Sequence, residues 1–396
     1  MYLDNAATTP IDREVYEAME PYLSEEYGNP SSKYYCKATS ARKAVEEARE
    51  KVANLLGVSA GEVIFTAGAT ESTNFIIKGF MDYRRYYGDG KNHIITSKVE
   101  HKATLNVCRY LNGDIYSNND PTVTLFGGKQ KVDRGYEASF VDVTNTGEIT
   151  KESIETVIKD NTAMVSVIYV NNEVGTISNV EDIAGLCKER DIALHVDLTQ
   201  AVGKVKISLD QWGIGFASCS AHKIHGPKGV GAAVVKTDAY GIQPITAFMH
   251  GGEQEQGFRA GTLAVHNIVG FGKAAEIALR DFKKNTDYIH SIDEYVVSKL
   301  LNIEGIRLTN PTCTRIPGII SILVEKNNFN NERFIKKIAD RFALSTGSAC
   351  SAGEPSHVLD AMGLGNMTSN VLRISLNKYT TKNEVDHLIE VLSKTL

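Results

Sequence analysis

Ser220 to Gly229 reads SAHKIHGPKG, and it follows the apolar run Ile214, Gly215, Phe216, Ala217, Ser218. That run has the length and the turn-bounded ends of a buried strand, so Lys223 falls at a strand end rather than on a solvated helix. In open α/β sheets this is where ligands are met. A lysine taken alone is ordinarily a solvated surface charge. Three features reverse that here. Ser220 and His222 put hydroxyl and imidazole donors beside the ammonium, Gly226 and Gly229 let backbone approach a ligand, and Asp197 lies one predicted strand earlier. A lysine packed in this way loses hydration, and its charged form is disfavoured. Its amine then becomes competent to form a Schiff base with an aldehyde.

Outward from that stretch, strands and helices alternate. Glu62 to Thr66 reads as a strand running into Ala67, Gly68, Ala69, Thr70, Glu71 and Ser72 before a helical stretch. Backbone N–H groups near Ala69 and the Thr70 hydroxyl can take a phosphate there, although threonine also caps helices that bind nothing. His93 to Ser97 is a strand followed by Glu100 and His101 at a helix start; His101 reads as a structural histidine or as a catalyst on the same sheet edge as Thr70. Tyr136 to Val143 is a strand, Thr150 to Ile158 a helix, and Ala163 to Val170 (AMVSVIYV) a buried parallel strand. Asn171, Asn172 and Glu173 follow at its end. Val180 to Arg190 is a helix, and Ile192 to Val196 a strand that delivers Asp197 and then Gln200. An acid in that place is a cap, or it pairs with a buried cation such as a protonated pyridine nitrogen. With Lys223 one strand on, pyridoxal phosphate is the aldehyde that suits the set. Alternation from residue 62 to 235, closed by a return strand Val230 to Val235, predicts an α/β fold with a mostly parallel, doubly wound sheet.

The flanks carry further signals. Tyr2 to Pro10 suits an extended arm, and Asp12 an N-cap for a helix through Met19. Ser40 to Leu56 has an apolar stripe at helical spacing ended by Gly57. Asn112 to Gly135 is a polar surface excursion, and Met249 to Thr262 (MHGGEQEQGFRAGT) a glycine-rich loop too polar for a core. Val265 to Phe282 reads as one long amphipathic helix leading to a second domain, with strands near Ile319 to Val324 and Val371 to Leu376, and helices near Asn331 to Ala339 and Asn383 to Leu392. The division expected is a large domain over 13–266 and a smaller α+β domain made of 1–12 and 267–396. Within the latter, Ser345 to Glu354 (STGSACSAGE) surrounds Cys350 with small residues. A structural cysteine sits among large apolar neighbours; this one reads as an exposed, mobile thiolate or as an incidental loop cysteine.

Composition bounds the partners. The 396 residues exceed what one hydrophobic core usually supports. Net charge is −5 from 43 basic and 48 acidic residues, well mixed, and no basic stripe or aromatic platform points to nucleic acid. No apolar run approaches the ~20 residues of a membrane span, and MYLDNAATTP carries no secretory pattern, so a cytoplasmic protein without a membrane partner is expected. Six cysteines without paired spacing indicate neither a disulfide framework nor a metal site.

Together the stretches YLDNAATTP, YGNPSS, GATES, ITSKVEHKA, VNNEVG, HVDLTQAVGK, SAHKIHGPKG, MHGG, RAGT, GSACSAG, EPSHVL and RISL run nearly the whole chain. In this order they resemble the cysteine desulfurases, the NifS/IscS-like group I branch of the fold-type I pyridoxal-phosphate enzymes within the class V aminotransferases. The resemblance implies that Lys223 carries the cofactor as an internal aldimine, His101 stacks on its ring, Asp197 pairs with the ring nitrogen and Gln200 contacts the phenolic oxygen. It implies that Thr70, Ser220 and His222 hold the phosphate, helped by Thr262 of the other protomer in a homodimer. Asn172 and Arg373 would take the carboxylate of L-cysteine, with Asn29 nearby. Cys350 would receive the sulfur as a persulfide for a sulfur-acceptor protein, iron–sulfur cluster assembly being the family's common destination, while alanine leaves.

Some residues depart from that pattern. Tyr35 and Ala38 stand where the family often has histidine and glycine, the Cys350 loop is about two residues short, and Asn112 to Gly135 is an insertion without a chemical role. The chain stops soon after its last helix, which sets the expectation of an acceptor other than the usual iron–sulfur scaffold. Two alternatives remain open at this level. A selenocysteine or cystine lyase would use the same pocket without Cys350, and a cofactor-bound scaffold would show little turnover.

Overall fold

A strand that is apolar along its whole length has to be covered on both faces, and the helices between the strands of this chain do the covering. The computed structural model describes residues 1–114, 132–347 and 355–395. Among the described residues, the larger sheet has seven strands: β1 (Val63–Thr66), β2 (His93–Ser97), β3 (Glu137–Val141), β4 (Thr162–Ile168), β5 (Ala193–Asp197), β6 (Phe216–Ser220) and β7 (Gly231–Val235). Their spatial order is β1-β7-β6-β5-β4-β2-β3. The pairs β6–β5, β5–β4, β4–β2 and β2–β3 are parallel, whereas β7 is antiparallel to both β6 and β1. One strand turned between two others leaves β1 and β6 pointing the same way. The carboxyl ends of β1, β6, β5, β4 and β2 therefore share one edge, and the segments following them converge there.

The helix Cys36–Leu56 ends at Gly57 in the left-handed conformation (φ +68°), as its sequence predicts, and packs along the helix Val265–Arg280. Small residues let the two backbones close: a Cβ added to Gly272 would lie 2.6 Å from the Cβ of Ala48. A second, antiparallel sheet is formed by β8 (Ile306–Leu308), β9 (Ile319–Val324) and β10 (Val371–Ser375) in the order β10-β9-β8. Ile320, Ile322, Leu372 and Ile374 pack there with Val296 and Leu392 from helices Phe282–Leu301 and Lys382–Thr395. Leu3 belongs to the same core, because the arm bridges this sheet through Asp4 and Ser375.

Several expectations are corrected. The long helix from Val265 breaks at Asp281, and a second helix, Phe282–Leu301, follows at once. The helix expected over Thr150 to Ile158 is only Lys151–Glu155. Asp12 precedes the helix Arg13–Met19 but makes no capping bond; its carboxylate accepts instead from Lys378 Nζ at 2.5 Å and from the Tyr379 hydroxyl. The loop judged too polar for a core contains Glu255, 6% exposed, whose carboxylate takes both Nη atoms of Arg49 at 2.7 Å. The middle of the Asn112 to Gly135 excursion and Cys350 lie outside the described residues.

Candidate active site

Lys223 ends the single turn Ala221–Lys223 that follows β6, so its direction is set by a strand buried along its whole length. Its Nζ donates to the carbonyls of Ala6 at 2.5 Å and Ala7 at 2.7 Å. The amine is thus held against the amino-terminal arm, which is fastened in turn by Thr9 Oγ1 donating to the His222 carbonyl at 2.9 Å. His222 Nδ1 lies 3.1 Å from Thr8 Oγ1. Burial first, and then the cations of Lys223, Lys228 and Lys204, push the His222 imidazole down to about 4, so the ring is neutral at pH 7.

Asp197 ends β5 with 4% exposure, its Oδ1 accepting from Thr199 N at 2.9 Å. His101 is the N-cap of the helix Lys102–Leu111, and its Nδ1 accepts from Ala103 N at 3.1 Å. Accepting at Nδ1 fixes the neutral tautomer with its hydrogen on Nε2. Burial lowers the His101 pKa, opposed by Asp197 and reinforced by Lys223. The other ring nitrogen is therefore a donor.

Arg373, on β10, is 1% exposed and reaches from the smaller sheet to the edge of the larger one. Its Nη1 donates to the carbonyls of Asn172 at 2.7 Å and Gly347 at 2.8 Å, its Nη2 donates to Asp4 Oδ1 at 2.7 Å, and its Nε is buried with no partner among the described residues. Five N–H donors against three acceptors leave Nε–H and one Nη2–H, which share an edge of the guanidinium plane. That edge is the one a carboxylate engages in a bidentate pair.

A cavity of about 760 Å³ gathers Ala69, Thr70, His101, Asn172, Asp197, Gln200, Ser220, His222, Lys223 and Arg373. Size and lining suit a phosphorylated heterocycle with an amino acid beside it. The start of the helix Ala69–Tyr86, whose first N–H groups and dipole favour an anion, lines the cavity together with Ser220 and His222. Thr199 Oγ1, also lining the cavity, is buried without a partner among the described residues. A carboxylate, an amine and an unsatisfied guanidinium edge complete a donor set that fits pyridoxal phosphate plus an amino-acid carboxylate. Among the described residues, no group of three or more His, Cys, Asp or Glu is placed to hold a metal.

Ten of the residues singled out from sequence thus meet in one cavity. Asn29 and Thr262 are exposed and are not part of its wall; Asn29 Oδ1 accepts from Ser31 N in a local turn. Sequence reasoning gave no part to Asp4, to Glu173 and His357 in the cavity wall, or to Lys204. His357 Nε2 lies 2.9 Å from the Glu100 carbonyl, and Glu173 accepts from Ser356 Oγ at 2.5 Å. The EPSHVL stretch was a signal for His357; Asp4 and Glu173 depend on partners distant in the chain, and Lys204 on Gln200 four residues before it.

A family model described as Aminotransferase class-V matches residues 1–116 and 127–388. Over 396 residues the chain is 37% identical to the cysteine desulfurase IscS of Rickettsia felis, covering 99% of this chain and 90% of that protein. Among solved structures, a NifS-like protein superposes with a TM-score of 0.86 at 34% identity, covering 100% of this chain and 98% of the other. A structure described as SspA in complex with cysteine superposes with a TM-score of 0.79 at 32% identity, covering 96% and 99%. Among the described residues no helix is long and apolar enough to cross a membrane.

Proposed function

This chain belongs to the aminotransferase class-V family and is a cysteine desulfurase, and from that premise we propose that Lys223 holds pyridoxal phosphate, that L-cysteine docks through Arg373, and that Cys350 takes the sulfur. The observation that carries the reading is the buried Arg373, whose Nε has no partner among the described residues, in the same cavity as the Lys223 amine. A guanidinium edge left open costs stability unless something fills it. An amino-acid carboxylate fills it bidentately.

The remaining side chains divide the work. Ser220, His222, Thr70 and the first N–H groups of the Ala69–Tyr86 helix hold the phosphate, helped by Thr262 of a second protomer. Asp197 would keep the ring nitrogen protonated, and His101 would hold the ring from the cavity wall. When bound, pyridoxal phosphate supplies an electron sink that acidifies the Cα of the amino acid attached to it. Lys223 Nζ, when not engaged with the cofactor, would move the Cα proton. His101, donor at Nε2, serves the substrate sulfur. The Cys350 thiolate takes that sulfur as its C–S bond breaks, and the carbon left behind picks up a proton. The balance is L-cysteine plus enzyme thiol giving alanine plus enzyme persulfide, and the persulfide sulfur passes to an acceptor protein.

The test is a visible spectrum of the purified holoenzyme before and after cysteine, with alanine measured in the presence of a thiol reductant. A yellow enzyme whose band moves with cysteine, and which releases alanine in excess of itself, is expected. Lys223→Ala should lose both. A yellow enzyme releasing no more than one alanine per chain would overturn the desulfurase assignment and leave the scaffold reading standing.

A further inference from the structure

Lys204 closes the HVDLTQAVGK stretch and has no part in the chemistry above, yet its position is unusual for a lysine. It lies behind the cavity wall, lining a smaller cavity that shares Ala6 and Lys223 with the first. Its Nζ donates to Gln200 Oε1 at 2.9 Å. The other end of that amide, Gln200 Nε2, donates to the Ala6 carbonyl at 2.8 Å, and the glutamine is 2% exposed. Turning the amide over would set its NH2 against the lysine amine and its oxygen against the Ala6 carbonyl. Both contacts would become repulsive at once. The orientation is therefore locked, and with one Nε2 hydrogen on Ala6, the second is the group Gln200 can offer to the cavity.

We propose that Lys204 is a positioning residue for the cofactor: by holding Gln200 Oε1 it makes Gln200 a hydrogen-bond donor, never an acceptor, toward the phenolic oxygen of the ring. This rests on the reading that the cavity takes pyridoxal phosphate. Burial, and then the cations of Lys223 and Arg373, press Lys204 down to about 7. The ammonium enforces the lock as a pure donor to Oε1; the neutral amine could also accept, and there the Ala6 carbonyl, an acceptor only, keeps Nε2 turned toward it. A donor at the phenolic oxygen stabilises that oxygen without its proton and lowers the pH at which the bound chromophore loses it.

The experiment is a pH titration of the visible band of the holoenzyme in a double-mutant cycle: unsubstituted, Lys204→Met, Gln200→Met, and both. Lys204→Met should raise the midpoint by at least about half a pH unit. In the Gln200→Met background the same substitution should add little, because its effect travels through the amide. A midpoint unmoved by Lys204→Met overturns the proposal, and so does an equal shift in both backgrounds, which would make Lys204 a charge acting directly. If Lys204→Met does not fold, Lys204→Leu enters the same cycle. Absence of any visible band in the unsubstituted enzyme would instead count against the cofactor, an outcome distinct from a band whose midpoint stays fixed.

Discussion

Arg373 and Asp4, 369 positions apart, meet at 2.7 Å through Nη2 and Oδ1. The contact ties the first strand-like residues of the chain to the last strand of the smaller sheet, and it sets which edge of the guanidinium stays open. Arg373→Lys should keep the cofactor band while raising the KM for cysteine at least about tenfold, since a single ammonium cannot serve three fixed acceptors and a carboxylate. Asp4→Ala should lower stability by about 2–3 kcal/mol in urea unfolding, because a buried guanidinium loses its counter-charge. An unchanged KM in the lysine variant would count against Arg373 as the carboxylate site.

Arg49 and Glu255 form a second buried pair. Glu255 Oε2 also accepts from Phe65 N at 2.6 Å, so one carboxylate fastens the loop to β1 although Glu255 and Gln256 carry left-handed φ values of +46° and +60°. Non-glycine residues adopt that conformation only where neighbours enforce it. Arg49→Met should cost about 3–5 kcal/mol by stranding the Glu255 charge. Calorimetry showing a change under 1 kcal/mol would mean that water reaches the carboxylate.

The middle of the large sheet was legible because its strands are buried on both faces and so appear as unbroken apolar runs: AMVSVIYV and IALHV need no partner to be read. Lys223, Asp197 and His101 were legible for a related reason, each standing where such a run stops. What escaped depends on contacts that no periodic pattern announces, whether across the chain or within a few residues. Glu255 looks like a surface residue until Arg49 is placed beside it, and Lys204 looks like any solvated lysine until Gln200 Oε1 is found at 2.9 Å. The break at Asp281 has no glycine or proline to announce it, so a continuous amphipathic pattern was read as one helix. Asp12 was placed correctly at a helix start, but its partners Lys378 and Tyr379 lie more than 360 residues away.

Cys350→Ser separates substrate chemistry from sulfur acceptance. Arg373, His101 and Lys223 are untouched, so cysteine should still move the visible band. Alanine release should fall at least about a hundredfold, since the nucleophile that takes the sulfur is gone. Alanine formation at the unsubstituted rate would favour a lyase that expels sulfur without a protein thiol.

Glu100 gives the fold a pH dependence of its own. Its Oε1 accepts from Ser97 Oγ at 2.6 Å and from Ile168 N at 3.0 Å, while Oε2 is buried without a partner among the described residues. Burial, only partly opposed by those two hydrogen bonds and helped by the charge of Asp197, pushes its carboxyl up from 4.5 to about 8. Between those values the folded protein keeps a proton that the unfolded chain has released. Stability therefore falls as pH rises through the window, by at most about 1.4 kcal/mol per unit, and levels off above pH 8. Glu100→Gln keeps a carbonyl oxygen for Ser97 and Ile168 and removes the titration. Its stability relative to the unsubstituted protein should rise steadily from pH 5 to pH 8 in urea unfolding, reaching a few kcal/mol. A difference that stays constant across that range would mean that Glu100 is ionised in the folded state.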